Sequence, residues 1–207
     1  MTRIKLCGLS RPADIGAANA LKPDYIGFVF AKKSRRYVPP ERARTLREGL
    51  DPGIRAVGVF VREAPEAVAA LLESGVIDIA QLHGGEDEDC IRRLRALTGK
   101  PLIQAFRIDS AADLDRARAS SAEGILLDNG PGGTGAAFDW TLLRGFDRPY
   151  FLAGGLEPGN VAEAVRALRP FAVDVSSGIE TDGYKDFNKM KAFVEAVRAA
   201  SGKDGEL

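Results

Sequence analysis

Short aliphatic and β-branched runs alternate with longer helical stretches along the whole chain. The runs expected as strands are 3–7, 25–30, 55–61, 77–83, 102–107, 124–128, 150–153 and 171–175, eight in all. Between them the spacing predicts helices over 12–21, 40–49, 65–74, 87–98, 111–119, 158–168 and 187–200. Only a stunted helix is expected at 138–146, and a frayed polar tail at 201–207. Pro40-Glu41, Pro65-Glu66 and Glu157-Pro158 supply a proline in a first turn with an acidic neighbour, which suits the exposed amides of a helix start. Strand and helix in strict alternation mark an α/β protein with a parallel sheet covered by helices.

Eight such units can close into a (β/α)8 TIM barrel or lie open as a doubly wound sheet. Polar residues at the strands' C-terminal ends favour closure: Cys7, Lys32, Arg62, His83, Arg107, Asp128, Gly154-Gly155 and Ser176-Ser177. A barrel gathers all these ends on one rim, whereas an open sheet uses only those near its switch point. No strand is followed by GxxxxGK[ST]. Period-two alternation puts Lys5 and Cys7 on the interior face of the first strand and Ile4 and Leu6 toward the helices. Gln81 shares a face with His83, and Asp174 with Ser176. An interior lysine needs a carboxylate, because an unpaired buried charge is prohibitive. Asp174 is the expected partner, since the eighth strand lies beside the first in a closed barrel.

At 207 residues the chain is small for such a barrel and is expected to form one domain over 1–207. Composition is that of an ordinary globular protein, with 45% hydrophobic and 28% charged residues. Twenty-nine basic and 29 acidic residues cancel, which speaks against nucleic acid as a partner. The local basic run Lys32-Lys33-Ser34-Arg35-Arg36 suits a small anion better. No apolar stretch approaches a membrane span or a signal peptide, so no membrane partner is expected and the cytoplasm is the expected compartment. A monomer or a homodimer is expected.

Three glycine-rich turns follow the last three strands: Gly130-Pro131-Gly132-Gly133-Thr134-Gly135, Gly154-Gly155 and Ser176-Ser177-Gly178. Each is a tight turn or part of an anion nest, and barrels often hold phosphate at this position. Cys7 and Asp128 end their strands and are candidates for a base and an acid across the mouth. Each has a plainer reading, as core filling for the thiol and as a turn cap for the carboxyl. Lys5, on the same face, is expected to lower the thiol's pKa. A carboxyl sunk in the mouth is expected to stay protonated, as an acid must. Arg36 is either a clamp for a carboxylate or part of a solvated basic loop. His83 is the single histidine; it is a proton-transfer candidate or a neutral, hydrogen-bonded interior group. One histidine and the separated Cys7 and Cys90 make no zinc site, so neither metal nor cofactor is expected.

These residues carry a resemblance. Ile4-Lys5-Leu6-Cys7-Gly8, Gly27-Phe28-Val29-Phe30, Lys33-Ser34-Arg35-Arg36-Tyr37 and Val57-Gly58-Val59-Phe60 are followed in order by further segments. Those are Gln81-Leu82-His83-Gly84, Leu126-Leu127-Asp128, Gly132-Gly133-Thr134-Gly135, Ala153-Gly154-Gly155-Leu156, and Val173-Asp174-Val175-Ser176-Ser177-Gly178-Ile179-Glu180. Over about residues 3–193 the chain resembles the phosphoribosylanthranilate isomerases. The resemblance implies a monofunctional (β/α)8 barrel that converts a phosphorylated small molecule, N-(5-phosphoribosyl)anthranilate, into its 1-deoxyribulose isomer in tryptophan biosynthesis. It implies Cys7 as general base, Asp128 as general acid and Arg36 as ligand of the anthranilate carboxylate, with His83 and Asp174 among the substrate-binding residues. Gly133, Gly154, Gly155, Ser176, Ser177 and Gly178 would hold the phosphate. Ala136 stands where relatives often carry lysine. The rival readings are a histidine-pathway isomerase, which resembles this chemistry but uses aspartate where Cys7 stands, a metal-dependent epimerase, and a non-catalytic phosphate-ligand binder.

Overall fold

The computed structural model describes residues 1–128, 140–143 and 145–202. Eight parallel strands close into a barrel in sequential order, each hydrogen-bonded to the next and the last to the first. They are β1 (Arg3–Cys7), β2 (Tyr25–Val29), β3 (Arg55–Phe60), β4 (Ile79–Leu82), β5 (Leu102–Arg107), β6 (Gly124–Asp128), β7 (Tyr150–Ala153) and β8 (Ala172–Val175). Helices α1 (Pro12–Leu21), α2 (Pro40–Glu48), α3 (Pro65–Glu73), α4 (Glu88–Arg95) and α5 (Ala111–Ala119) follow the first five strands. Among the described residues a 3-10 turn, Trp140–Leu143, follows β6, then α6 (Val161–Leu168) and α7 (Phe187–Ser201) follow β7 and β8.

Alternation along the strands builds two cores. Tyr25, Val57, Ile79, Ile103, Leu126, Phe151 and Ala172 pack as one cluster inside the barrel. Ile4, Leu6, Ile26, Phe28 and Leu127, each one residue out of phase, join the larger cluster with helix residues such as Ile15, Leu72 and Phe193. The helices start as their sequences direct. Proline occupies the first turn of α1, α2 and α3, and the Asp87 side chain accepts from the Cys90 amide at 2.9 Å. Acidic residues open α4 and three arginines close it, matching the helix dipole at both ends.

Some boundaries differ from expectation. Asp87 caps α4 instead of opening it, and the strand expected from 77 begins at Ile79. Pro158 does not start α6. The Asn160 side chain accepts from the Glu157 amide and donates to the Gly155 carbonyl, both at 2.9 Å, which closes a non-helical turn first. Between β8 and α7 lie a 3-10 turn, Ser177–Ile179, and a hairpin of two-residue strands, β9 (Glu180–Thr181) and β10 (Tyr184–Lys185), which the hydrophobic pattern did not signal.

Candidate active site

The floor of the barrel mouth is an ion pair. Lys5 and Asp174 are register partners on β1 and β8, and Lys5 Nζ donates to Asp174 Oδ1 at 2.9 Å, the expected pairing. Lys5 is wholly enclosed. Burial works against its charge, but Asp174 and Cys7 together overcome it and hold the ammonium above its ordinary pKa. Cys7 stands one pleat higher on the same face, buried against Val29 and Val59. Here the expectation needs correcting. Lys5 and Lys185 do pull the thiol's pKa down, yet exclusion from water is the larger effect and Asp174 adds to it, so the net shift is upward.

Arg36 overhangs this floor because its loop is pinned at both ends. The Val38 amide donates to the Val29 carbonyl at 2.9 Å, and the Arg36 amide donates to Ser34 Oγ at 3.1 Å. A β-carbon at Gly8 would lie 2.5 Å from Arg36 Cδ, so the arginine can cross the end of β1 only over a glycine. Its guanidinium is already bidentate to Glu180, Nε to Oε1 at 2.6 Å and Nη2 to Oε2 at 2.9 Å. Arg35 donates to the same carboxylate at 2.5 Å. So does Lys185, at 2.7 Å, while also reaching the Ser176 carbonyl at 2.8 Å. Burial would raise the Glu180 pKa, but Arg36 and Lys185 override it and lower it to about 2. Burial lowers the Lys185 pKa despite the opposing pull of Glu180 and Cys7. Arg36 is therefore not part of a solvated run, although Lys32, Lys33 and Arg35 beside it stay exposed. Glu180 and Lys185 were missed by sequence reasoning, because their hairpin is too short for a periodic signal and Glu180 lies 144 residues from Arg36.

Asp128 ends β6 on the same rim, three strands round from Cys7. A quarter of its side chain remains exposed, so the expected burial is only partial. His83 Nε2 lies 3.3 Å from Asp128 Oδ2, and His83 Nδ1 lies 2.8 Å from Gln81 Nε2. The histidine is thus hydrogen-bonded at the open mouth and not enclosed in the interior.

The two described glycine turns lie side by side. Gly154 and Gly155 both take positive φ after β7. A β-carbon on Gly178 would sit 2.0 Å from the Leu156 carbonyl oxygen, so only glycine lets the β8 turn press against the β7 turn. Ser176 Oγ donates to the Cys7 carbonyl at 3.1 Å, tying this corner to the end of β1. Ser177 begins the 3-10 turn beside it. Gly133 lies outside the described residues. Among the described residues, no cluster of three or more His, Cys, Asp or Glu side chains is placed to hold a metal ion, and no helix is long and apolar enough to cross a membrane.

The family pattern described as N-(5'phosphoribosyl)anthranilate (PRA) isomerase matches residues 4–196. The chain belongs to this family. Among its relatives, the N-(5'-phosphoribosyl)anthranilate isomerase of Thermoanaerobacter sp. (strain X514) is 46% identical over 96% of this chain and 98% of its own. The crystal structure of phosphoribosyl anthranilate isomerase from Thermotoga maritima superposes with a TM-score of 0.88 at 37% identity, covering 96% of this chain and 100% of that one. Another phosphoribosyl anthranilate isomerase structure contains reduced 1-(o-carboxyphenylamino)-1-deoxyribulose 5-phosphate. It aligns with a TM-score of 0.85 at 36% identity, over 96% of this chain and 100% of that one.

Proposed function

We propose that the chain isomerises N-(5'-phosphoribosyl)anthranilate to 1-(2-carboxyphenylamino)-1-deoxyribulose 5-phosphate, a step of tryptophan biosynthesis, with Cys7 as base and Asp128 as acid. The observation that carries this reading is a thiol standing over a buried Lys5–Asp174 pair, on the same rim as a carboxyl at the end of β6. Asp128 protonates the furanose ring oxygen, and the ring opens to a Schiff base with the anthranilate nitrogen. Cys7, acting through the minority of chains in which burial has not kept its proton on, then removes as thiolate the C2′ proton, which the neighbouring iminium has made acidic. The enolamine so formed tautomerises to the ketone. The substrate's own amine serves as electron sink, and the isomerisation balances without an external oxidant or reductant.

The remaining groups bind. Arg36 meets the anthranilate carboxylate through its Nη1 edge, which makes no hydrogen bond among the described residues while Glu180 holds the opposite edge. The turns at 154–155 and 176–178, with the one containing Gly133, take the phosphate through backbone amides. His83 holds Asp128, and Asp174 holds Lys5 beneath the thiol.

The test is the fluorescence of freshly generated substrate. An isomerase consumes it catalytically, at many equivalents per chain. A change that stops at one equivalent would make the protein a binder and refute the activity.

A further inference from the structure

Gln81 is 99% enclosed, on an inward-facing position of β4 that an apolar side chain would fill at lower cost. Its Oε1 is buried without any hydrogen-bond partner among the described residues. Its other amide atom, Nε2, lies 2.8 Å from His83 Nδ1. Such a buried, half-satisfied amide calls for an explanation beyond packing. We propose that Gln81 is a positioning residue that keeps the His83 proton on Nε2 and so aims an N–H at Asp128.

Between two nitrogens at this distance, one must donate and the other accept. A glutamine amide can only donate through Nε2, so Nδ1 carries the lone pair and the neutral ring's single proton is on Nε2. That nitrogen faces Asp128 Oδ2 at 3.3 Å. Turning the amide over would set Oε1 against Nδ1–H, but it would also move an NH2 group into the place where Oε1 now has no partner. An orphaned buried donor is rarer and costlier than an under-satisfied carbonyl, so the first orientation is favoured. The consequence concerns the acid. With His83 Nε2 beside Oδ2, Oδ1 is the oxygen left to carry the proton that Asp128 transfers. Once that proton has passed to the ring oxygen, the new carboxylate is met by an N–H. The opposite tautomer would set a lone pair against it.

The inference rests on the reading of Asp128 as the acid, but its test does not require turnover. His83 is the chain's single histidine, so histidine labelled with 15N gives one imidazole and one unambiguous tautomer by NMR. In the unmodified protein at mildly alkaline pH, Nε2 is expected to be protonated and Nδ1 to accept a hydrogen bond. In Gln81→Glu, the carboxylate accepts from Nδ1–H and reverses the ring. Then kcat should fall about tenfold or more, less than the roughly hundredfold expected from losing an acid–base group outright, while KM stays within about twofold. Gln81→Met should give a mixture of tautomers and a smaller loss of kcat. An unmodified ring protonated at Nδ1, or a Gln81→Glu ring left unreversed, overturns the proposal even if the isomerase assay succeeds. Should the variants fail to fold, the unmodified protein's spectrum alone decides.

Discussion

The two sides of the barrel mouth are built on opposite terms. On the side of β1, β2 and β8, Lys5, Asp174, Arg36, Glu180 and Lys185 form two ionic clusters whose charges are paired with one another, nearly all withdrawn from solvent. On the side of β4 to β6, His83 and Asp128 meet at 3.3 Å with substantial exposure. Buried charges that are fully paired hold geometry but exchange protons reluctantly, because each exchange strands a partner in low dielectric. Loosely partnered groups at an open mouth suit proton delivery and release. On the proposed reading, the paired side frames the Cys7 thiol, and the open side is where Asp128 would regain its proton.

Breaking the saturated side should have the largest effect on stability. Asp174→Ala leaves Lys5 enclosed and unpaired, and is expected to cost about 3–5 kcal/mol of unfolding free energy, read from urea denaturation. A loss of under about 1 kcal/mol would mean that water reaches the lysine, and that the frame is not dry. Glu180→Gln is milder. Without its carboxylate the Arg36 fork loses its fixed edge, and KM should rise about tenfold with kcat much less affected. An unchanged KM would separate Glu180 from substrate binding. The smallest effect is that of acid. Glu180 titrates at about 2 in the folded chain against an ordinary value of 4.5, so its contribution is complete above about pH 4.5 and is lost as pH falls toward about 2. Urea unfolding across that window should show a shallower acid loss in Glu180→Gln than in the unmodified protein. Equal slopes would place the acid sensitivity elsewhere.

Which parts could be read from the chain follows from the range of the forces involved. Strand–helix alternation is a local signal repeated eight times, and it located the barrel strands to within about two residues at each end. The Lys5–Asp174 pair was readable because parity, barrel closure and the cost of a lone interior charge all pointed to one partner. Glu180 and Lys185 were not, since two-residue strands carry no period and the contact with Arg36 spans most of the chain. The direction of the Cys7 shift was misread because a neighbouring cation is visible in sequence, whereas the extent of burial that overcomes it is not. That Gln81 Oε1 has no partner among the described residues is likewise a fact of packing. The close backbone approach that glycine permits is met at Gly178, which presses against the turn after β7, whereas Gly133 lies outside the described residues.

The pairing of a thiol base with a carboxyl acid over one sugar is tested most directly by turnover of Cys7→Ala and Asp128→Ala, each checked for an unchanged circular dichroism spectrum. Each variant is expected to lose at least about a hundredfold in kcat while remaining folded. A folded Cys7→Ala protein that keeps most of its turnover would contradict the account, because no other group has been assigned to remove the C2′ proton.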